Sequence, residues 1–428
     1  MTLTPLNPDQ FHTGMQTVPQ SSLPMRITEW LMLLFIYLVP WENVLIIPGL
    51  GTLTRIVGLL LGASWIVTTL LEGKTRRATV FHFAAFVFLV WALATVLWSA
   101  NAGLSALFLI TLAQLILVIL VIWNTANRDE MIQRLLQAFV LGSLTVALNV
   151  FFNAASGDFT TVAGSRTTIA NSNQNAVGLM LTVSLPIAWY LATAGKGSFR
   201  NRFVDLVNFA YIPMAFLGVF FTASRGSLLA SVWFVGQLAY LASKSNAAHR
   251  ARVIGFMGVA TITTLVFAPE SGFQRFSTIG SSVESGDFGA RGGIWQDGFR
   301  EILSNPEGLI FGHGAGVFVE VVGKAAHNTL LAILLEMGVV GLVLYSSIIV
   351  YLLKVIWPMP TPERAMLFTA LAIWFSAVQA LSFHFDKVSW IIMAIIVGMA
   401  RTLERTNKNY QSLLDPSPTA LLTTKSQR

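Results

Sequence analysis

Apolar stretches of about 20 residues recur along almost the whole chain, and that recurrence leaves few folds open. Leu104 to Trp123 and Asn328 to Leu353 are two of them. A helix rising about 1.5 Å per residue crosses roughly 30 Å of hydrocarbon in such a stretch. Inside a bilayer it also satisfies its own backbone hydrogen bonds. Spans are expected near 28–48, 52–71, 79–98, 104–123, 132–155, 174–194, 203–223, 226–243, 253–269, 327–353, 364–384 and 388–401. Composition agrees: only 11% of residues are charged, where a soluble domain carries about 25%. The expected fold class is therefore an all-α integral membrane protein with about 12 transmembrane helices. Cysteine is absent, which excludes disulfides, a thiolate nucleophile and thiolate metal ligation.

The expected organisation is a tail over 1–27, nine helices over 28–269, a large loop over 270–326, three helices over 327–403 and a second tail over 404–428. No small-residue cleavage site follows the first apolar run, so that run reads as an uncleaved span. The loop is broken by Gly, Ser and Pro, yet Ile294 to Leu303 has helical character. From Thr406 onward, Ser, Thr, Pro and Lys predict a mobile tail.

The net charge of +7 raises the question of nucleic acid, and its distribution answers it. Most of the 27 Lys and Arg fall in the two tails or in loops that share a side with them. These are Arg26, Lys74, Arg76, Arg77, Arg128, Arg134, Lys196, Arg200, Arg202, Lys244, Arg250, Arg252, Lys354, Arg364, Arg401, Arg405, Lys408, Lys425 and Arg428. The positive-inside rule puts both termini in the cytoplasm, so the basic balance reports topology and not a nucleic-acid partner. The remaining cations, Arg55, Arg166, Arg225, Arg275, Arg291, Arg300, Lys324 and Lys387, lie at the exported ends of spans. Topology gives no reason for cations there, and an anionic ligand does.

Three motifs converge on the exported side. Ser224-Arg225-Gly226-Ser227 interrupts the apolar stretch from Ile212 to Tyr240 and suits a helix start, whose N–H groups and dipole favour anions. Arg225 adds a guanidinium fork that matches phosphate oxygens, although a snorkelling Arg in a hairpin has the same sequence signature. In Gly289-Ala290-Arg291-Gly292-Gly293-Ile294-Trp295, glycines allow close backbone approach and Arg291 precedes an amphipathic helix. A solvated loop Arg is the plainer alternative. Trp295 suits either stacking on a sugar or the lipid interface. His327-Asn328 opens the tenth span, and an imidazole there can take a proton near pH 7. Glu336 is nine positions further on, roughly on the opposite helix face, and is expected to pair inside the bundle.

Asn175 and Arg166, with Asn171 and Asn173, either bind sugar hydroxyls or cap the sixth span. His384, Asp386 and Lys387 form a polar cluster in the last exported turn, where an ordinary hairpin explains them equally well. His12, His82, His249 and His313 carry less weight. Pro186 and Pro213 are candidate helix breakers. No clustered metal-ligand set stands out, so charge on a leaving phosphate would be met by Arg.

Taken in order, Asn173-Gln174-Asn175-Ala176, Ser224-Arg225-Gly226, Arg291 with Trp295, and His327-Asn328 with Glu336, Gly338 and Gly341 resemble the O-antigen ligase and polymerase superfamily. The resemblance covers about 170–345, and the first five spans agree only in hydropathy. It implies a GT-C-like architecture in a bacterial inner membrane, with the site on the periplasmic face. It further implies transfer of a glycan from undecaprenyl pyrophosphate to a sugar hydroxyl of lipid A-core, with inversion and without metal or cofactor. Catalysis would fall to Arg225, Arg291 and His327. Substrate binding would involve Arg166, Asn175, Ser224, Trp295, Asn328, Asp386 and Lys387. An O-antigen polymerase and a protein O-oligosaccharyltransferase are the nearest rivals. A transporter, from a different class, would need its ionisable or broken-helix site near the bilayer midplane.

Overall fold

The computed structural model describes residues 22–73, 75–157, 166–195, 201–278, 280–281 and 291–414. Gly289, Ala290, Lys74, Lys196, Arg200, His12, Lys425 and Arg428 lie outside the described residues, as do most of the expected N-terminal tail and the side chains of His249, Arg275 and Lys408.

The order is α1 (Leu23–Leu38), a 3-10 turn to Trp41, a two-residue hairpin of β1 (Ile46–Ile47) and β2 (Gly51–Thr52), then α2 (Leu53–Glu72), α3 (Val80–Thr95), α4 (Ala102–Thr125) and α5 (Asp129–Ala155). There follow α6 (Gln174–Thr193), α7 (Arg202–Thr222), α8 (Arg225–Ser243), α9 (Ala247–Phe267) and the short α10 (Glu270–Ser277). The loop region contributes α11 (Arg291–Ser304), α12 (Pro306–Phe311) and α13 (Phe318–Val322), and the chain closes with α14 (Thr329–Ile356), α15 (Thr361–Val378) and α16 (Lys387–Leu414). In the hairpin Ile46 pairs with Thr52 and Ile47 with Gly51.

Ten helices among the described residues, α1 to α9 and α14, are long and apolar enough to cross a membrane. The last two expected spans are also helical, but α15 carries Glu363 and Arg364 in its first turn and α16 runs on through Arg401, Glu404 and Arg405 to Leu414. Ten helices thus meet the requirement where the apolar pattern predicts about twelve. Pro186 and Pro213 sit inside α6 and α7 without ending them.

Polar residues placed just before apolar runs start the helices. Asn101, Asn173, Ser224 and Asn328 each accept a backbone N–H at the first turn of α4, α6, α8 and α14, satisfying donors that have no helical partner. Outward faces carry Leu59, Phe83, Leu107, Val232, Ile262 and Val350, all exposed, as a lipid-facing shell requires. The helix α6 is the hub: 89% of its most apolar stretch is buried, against 17% for α9 at the periphery. It packs on α5, α7, α8 and α15.

Alternate turns are stitched together at one end of the bundle. Asn171 Nδ2 donates to the Asn43 carbonyl at 3.3 Å, Ala100 N–H to the His313 carbonyl at 2.8 Å and Trp98 Nε1 to the Gly312 carbonyl at 3.2 Å. Thr329 Oγ1 donates to the Leu381 carbonyl at 2.8 Å, and Lys387 pairs with Glu42 at 2.7 Å. This turn end carries the site residues. At the other end Arg128 pairs with Glu29 at 2.6 Å, and Arg76 donates to the Trp123 carbonyl at 2.7 Å while its guanidinium lies 4.0 Å over the Trp123 ring.

The helix α14 is broken at Gly338, whose φ of 67° and ψ of −172° are accessible almost only to glycine. The segment 312–318 packs against the break. His313 and Gly314 donate their N–H groups to the carbonyls of Leu335 and Glu336, both at 2.9 Å. A Cβ at position 338 would lie 2.1 Å from the Ile310 carbonyl oxygen. Gly338→Ala is therefore expected to destabilise the protein by about 3 kcal/mol or more. Gly236→Ala, on a helix face with open space, should have little effect. Detergent-solubilised melting temperatures of the two variants check this, and equal values would contradict it.

Candidate active site

The turn between α7 and α8 is only two residues long. Ala223 takes the left-handed conformation, φ 47°, and Ser224 then caps α8. The cap is doubly fixed, because Ser224 Oγ donates to Asn175 Oδ1 at 3.0 Å and lies 2.9 Å from Ser227 Oγ. The first turns of α6 and α8 are thus joined. Gly178 allows this closeness, since a Cβ there would meet Ser227 Oγ at 2.3 Å.

Arg166 reaches the same turn from the α5–α6 connection. Its Nε donates to the Thr222 carbonyl at 3.1 Å, where the negative dipole end of α7 favours a cation. Arg225 is the first residue of α8 and donates to Thr278 Oγ1 beyond α10. Arg291 is the first residue of α11. Arg166, Arg225 and Arg291 line one cavity of about 200 Å³, together with Asn175, Ser224, Gly226 and Ser227. Cations distant in sequence therefore meet there, beside the N-terminal turn of α8. The volume falls below the roughly 300–1,000 Å³ typical of sites that engulf a drug-sized ligand, and suits a small anionic group.

His327 lies near enough to Arg291 to feel its charge, on a turn held from both sides. Trp295 Nε1 donates to the Ala326 carbonyl at 3.0 Å, which ties the turn to α11 and so to Arg291. Asn328 caps α14 through Leu331 N–H at 3.0 Å, and its amide donates to Gln379 Oε1 at 3.5 Å. His327 itself is left-handed, φ 47°, a conformation a non-glycine residue holds only when its surroundings over-determine it. Its ring is half-buried. That burial, with the Arg291 charge nearby, holds the imidazole below its ordinary pKa. Burial also lowers Arg291, though a guanidinium stays protonated in proteins.

Some residues singled out by sequence lie elsewhere. Trp295 packs inward beside Ile294, Ile302 and Phe318 instead of standing at a lipid interface. Ser224, Asn175 and Asn328 shape the site through caps as well as lining it or flanking it. Asp386 and Lys387 do not join the Arg cavity: Lys387 is paired with Glu42, and Asp386 accepts Val388 N–H at 2.9 Å and lines a second cavity. There burial, with Glu42 behind it, pushes the Asp386 carboxyl up to about 6 against the pull of Lys387. Glu336 pairs within the bundle as expected, and its partner is His384 at 2.9 Å. Sequence gave no sign of that partner, which is 48 residues away.

The bundle has the long apolar helices of a multi-pass membrane protein, with three guanidinium groups gathered at one end. Residues 210–346 match the family model described as O-Antigen ligase, a stretch holding Arg225, Arg291, His327 and Glu336. The match supports the O-antigen ligase/polymerase superfamily, whose members are membrane glycosyltransferase-like enzymes acting on polysaccharide or lipid-linked substrates. Arg166, Asn175, Asp386 and Lys387 fall outside the matched stretch. No curated protein and no solved structure matches the chain.

Because its pKa is depressed, His327 should remain neutral at pH values where an ordinary histidine, near 6.5, is half protonated. Diethylpyrocarbonate modifies neutral imidazole, so its rate at His327, followed by peptide mass spectrometry, should have a midpoint below that value. Arg291→Gln should move the midpoint upward. A midpoint above 6.5 in the unaltered protein would contradict the depression.

Proposed function

We propose that the protein is an O-antigen ligase. It transfers a glycan from undecaprenyl pyrophosphate to a sugar hydroxyl of lipid A-core at the periplasmic face of a bacterial inner membrane. The observation carrying this reading is the meeting of Arg166, Arg225 and Arg291 in one small cavity, with His327 within the field of Arg291. Breaking the bond between a sugar and a pyrophosphate leaves negative charge on the departing oxygens. Preorganised guanidinium forks and helix N–H groups stabilise charge that develops there, without needing a metal. A neutral imidazole accepts the proton of the attacking hydroxyl, and one-step displacement inverts the anomeric centre.

A second feature supports a lipid-linked donor. An apolar groove of about 410 Å³ runs between α7, α8 and α9, lined by Phe216, Phe234, Phe256 and Met257. It includes Leu228, one turn below Arg225, and Phe273 of α10. A polyprenyl tail laid along it would leave its pyrophosphate at the Arg cavity. In this reading twelve helices cross the bilayer in a GT-C-like arrangement, α15 and α16 included, with both termini in the cytoplasm.

Arg225→Ala and Arg291→Ala are each expected to lower transfer to lipid A-core by about a hundredfold or more, and His327→Ala comparably, without loss of the folded protein. The lipid-linked donor should accumulate in cells. Assays with purified protein should be insensitive to EDTA. Normal transfer by any two of the variants, or strict dependence on added Mg²⁺ or Mn²⁺, would sink the reading. Supplying a second lipid-linked glycan in place of lipid A-core separates ligase from polymerase.

A further inference from the structure

The second cavity, about 300 Å³, has a different chemistry from the first. Phe108, Phe318 and Phe385 line it together with Glu336, His384 and Asp386. The rings of Phe108 and Phe385 lie 5.0 Å apart. Among the described residues no Lys or Arg lines it, whereas those lining the first cavity include three guanidinium side chains and no carboxylate. Glu336 is already engaged: it accepts Gly316 N–H at 2.9 Å and Phe318 N–H at 3.3 Å and contacts His384 Nε2 at 2.9 Å. The other ring nitrogen of His384, Nδ1, is buried with no hydrogen-bond partner among the described residues, and the residue is only 3% exposed. A buried polar atom left unpaired costs about 1–3 kcal/mol, so this imidazole is held at a cost in the wall of the cavity.

The two cavities share a wall. Ala380 and Leu381 line the first, and residues 382–386 line the second. On the other side Ala326 lines the second cavity, and the next residue is His327. The lining of the second cavity therefore reaches the residue next to the proposed base.

We propose that this second cavity is the acceptor-sugar subsite, built for a neutral or amino-substituted sugar ring and against a phosphorylated one. Aromatic faces pack on the C–H surface of a sugar while a few placed polar groups take its hydroxyls, the mix seen here in Phe108, Phe385, His384 and Asp386. Carboxylates with no Lys or Arg beside them in the described lining repel phosphate and accept from hydroxyl or ammonium donors. The inference rests on the transferase reading and extends it to acceptor selection.

The test uses full-length protein in lipid nanodiscs, with lipid-linked glycan as donor and lipid A-core whose terminal sugar is either unsubstituted or phosphorylated. His384→Gln and Asp386→Asn are expected to raise the acceptor KM about tenfold and leave the donor KM unchanged, while Arg225→Ala does the reverse. The phosphorylated acceptor should be poor with the unaltered protein, and Asp386→Asn should narrow the gap. Unchanged acceptor KM in both variants, or equal use of the two acceptors, overturns the proposal. Should the unaltered protein transfer to no sugar at all, the transferase reading fails, and the subsite is then judged on binding alone. Saturation-transfer NMR with free glucose would show contact that His384→Gln removes. Glucose signals that are absent, or identical in the two proteins, would overturn it.

Discussion

Glu336 sits where the backbone of α14 stops being helical, and most of the turn end depends on how that break is filled. Breaking a helix inside a bundle frees carbonyls and N–H groups that water cannot reach, and each needs another partner. Here the segment 312–318 supplies them. His313 and Gly314 donate to the freed carbonyls, while Gly316 and Phe318 donate to the Glu336 carboxylate itself. The same segment accepts from Trp98 and from Ser105 at 2.7 Å, and it takes Thr95 Oγ1 for Ala315 N–H, so α3 and α4 are bound into the arrangement. His384 closes the opposite side. One buried carboxylate thus fixes the loop helices, the start of α14 and the α15–α16 turn relative to each other. Truncating it would strand several buried donors together.

On this frame the ionisable groups separate by sign. Guanidinium groups from the α5–α6 connection, α8 and α11 gather on one side of the 380–386 turn, and carboxylates with aromatic rings gather on the other. The His327 turn stands at the division, held by Trp295 from α11 and by Asn328 from α14. Its left-handed backbone and that of Ala223 mark two places where local strain is maintained by the surrounding packing. An enzyme joining an anionic donor to an uncharged hydroxyl has use for such a division, because each partner is attracted to one compartment and repelled or ignored by the other.

Much of this was legible in the sequence where the signal is local. Runs of about 20 apolar residues demand helices, and Asn or Ser before a run marks its start, as Asn101, Asn173, Ser224 and Asn328 do. The cations at the turn end stood out because charge topology argues against them, and Arg166, Arg225 and Arg291 do share a cavity. Hidden from the sequence was whatever depends on long-range closure. Lys387 looks like a cavity cation until Glu42, far away in the chain, is found beside it. Trp295 reads as amphipathic, and nothing local says that its indole N–H has a carbonyl at Ala326. The break at Gly338 leaves no mark either, since glycine inside an apolar run suits close helix packing as well as a kink. The count of spans suffers in the same way: α15 and α16 are helices at the expected places, but the polar residues at their ends blur where an apolar crossing begins or stops.

The loosely held α9 has a consequence for kinetics. Only 17% of its most apolar stretch is buried, and the groove it forms with α7 and α8 is lined almost wholly by apolar side chains, a surface that lipid chains wet better than water does. A molecule whose tail occupies that groove arrives by lateral diffusion within a leaflet. Its effective concentration is then a mole fraction of the lipids around the protein, and diluting the membrane with inert lipid slows arrival even when every molarity in the tube is unchanged.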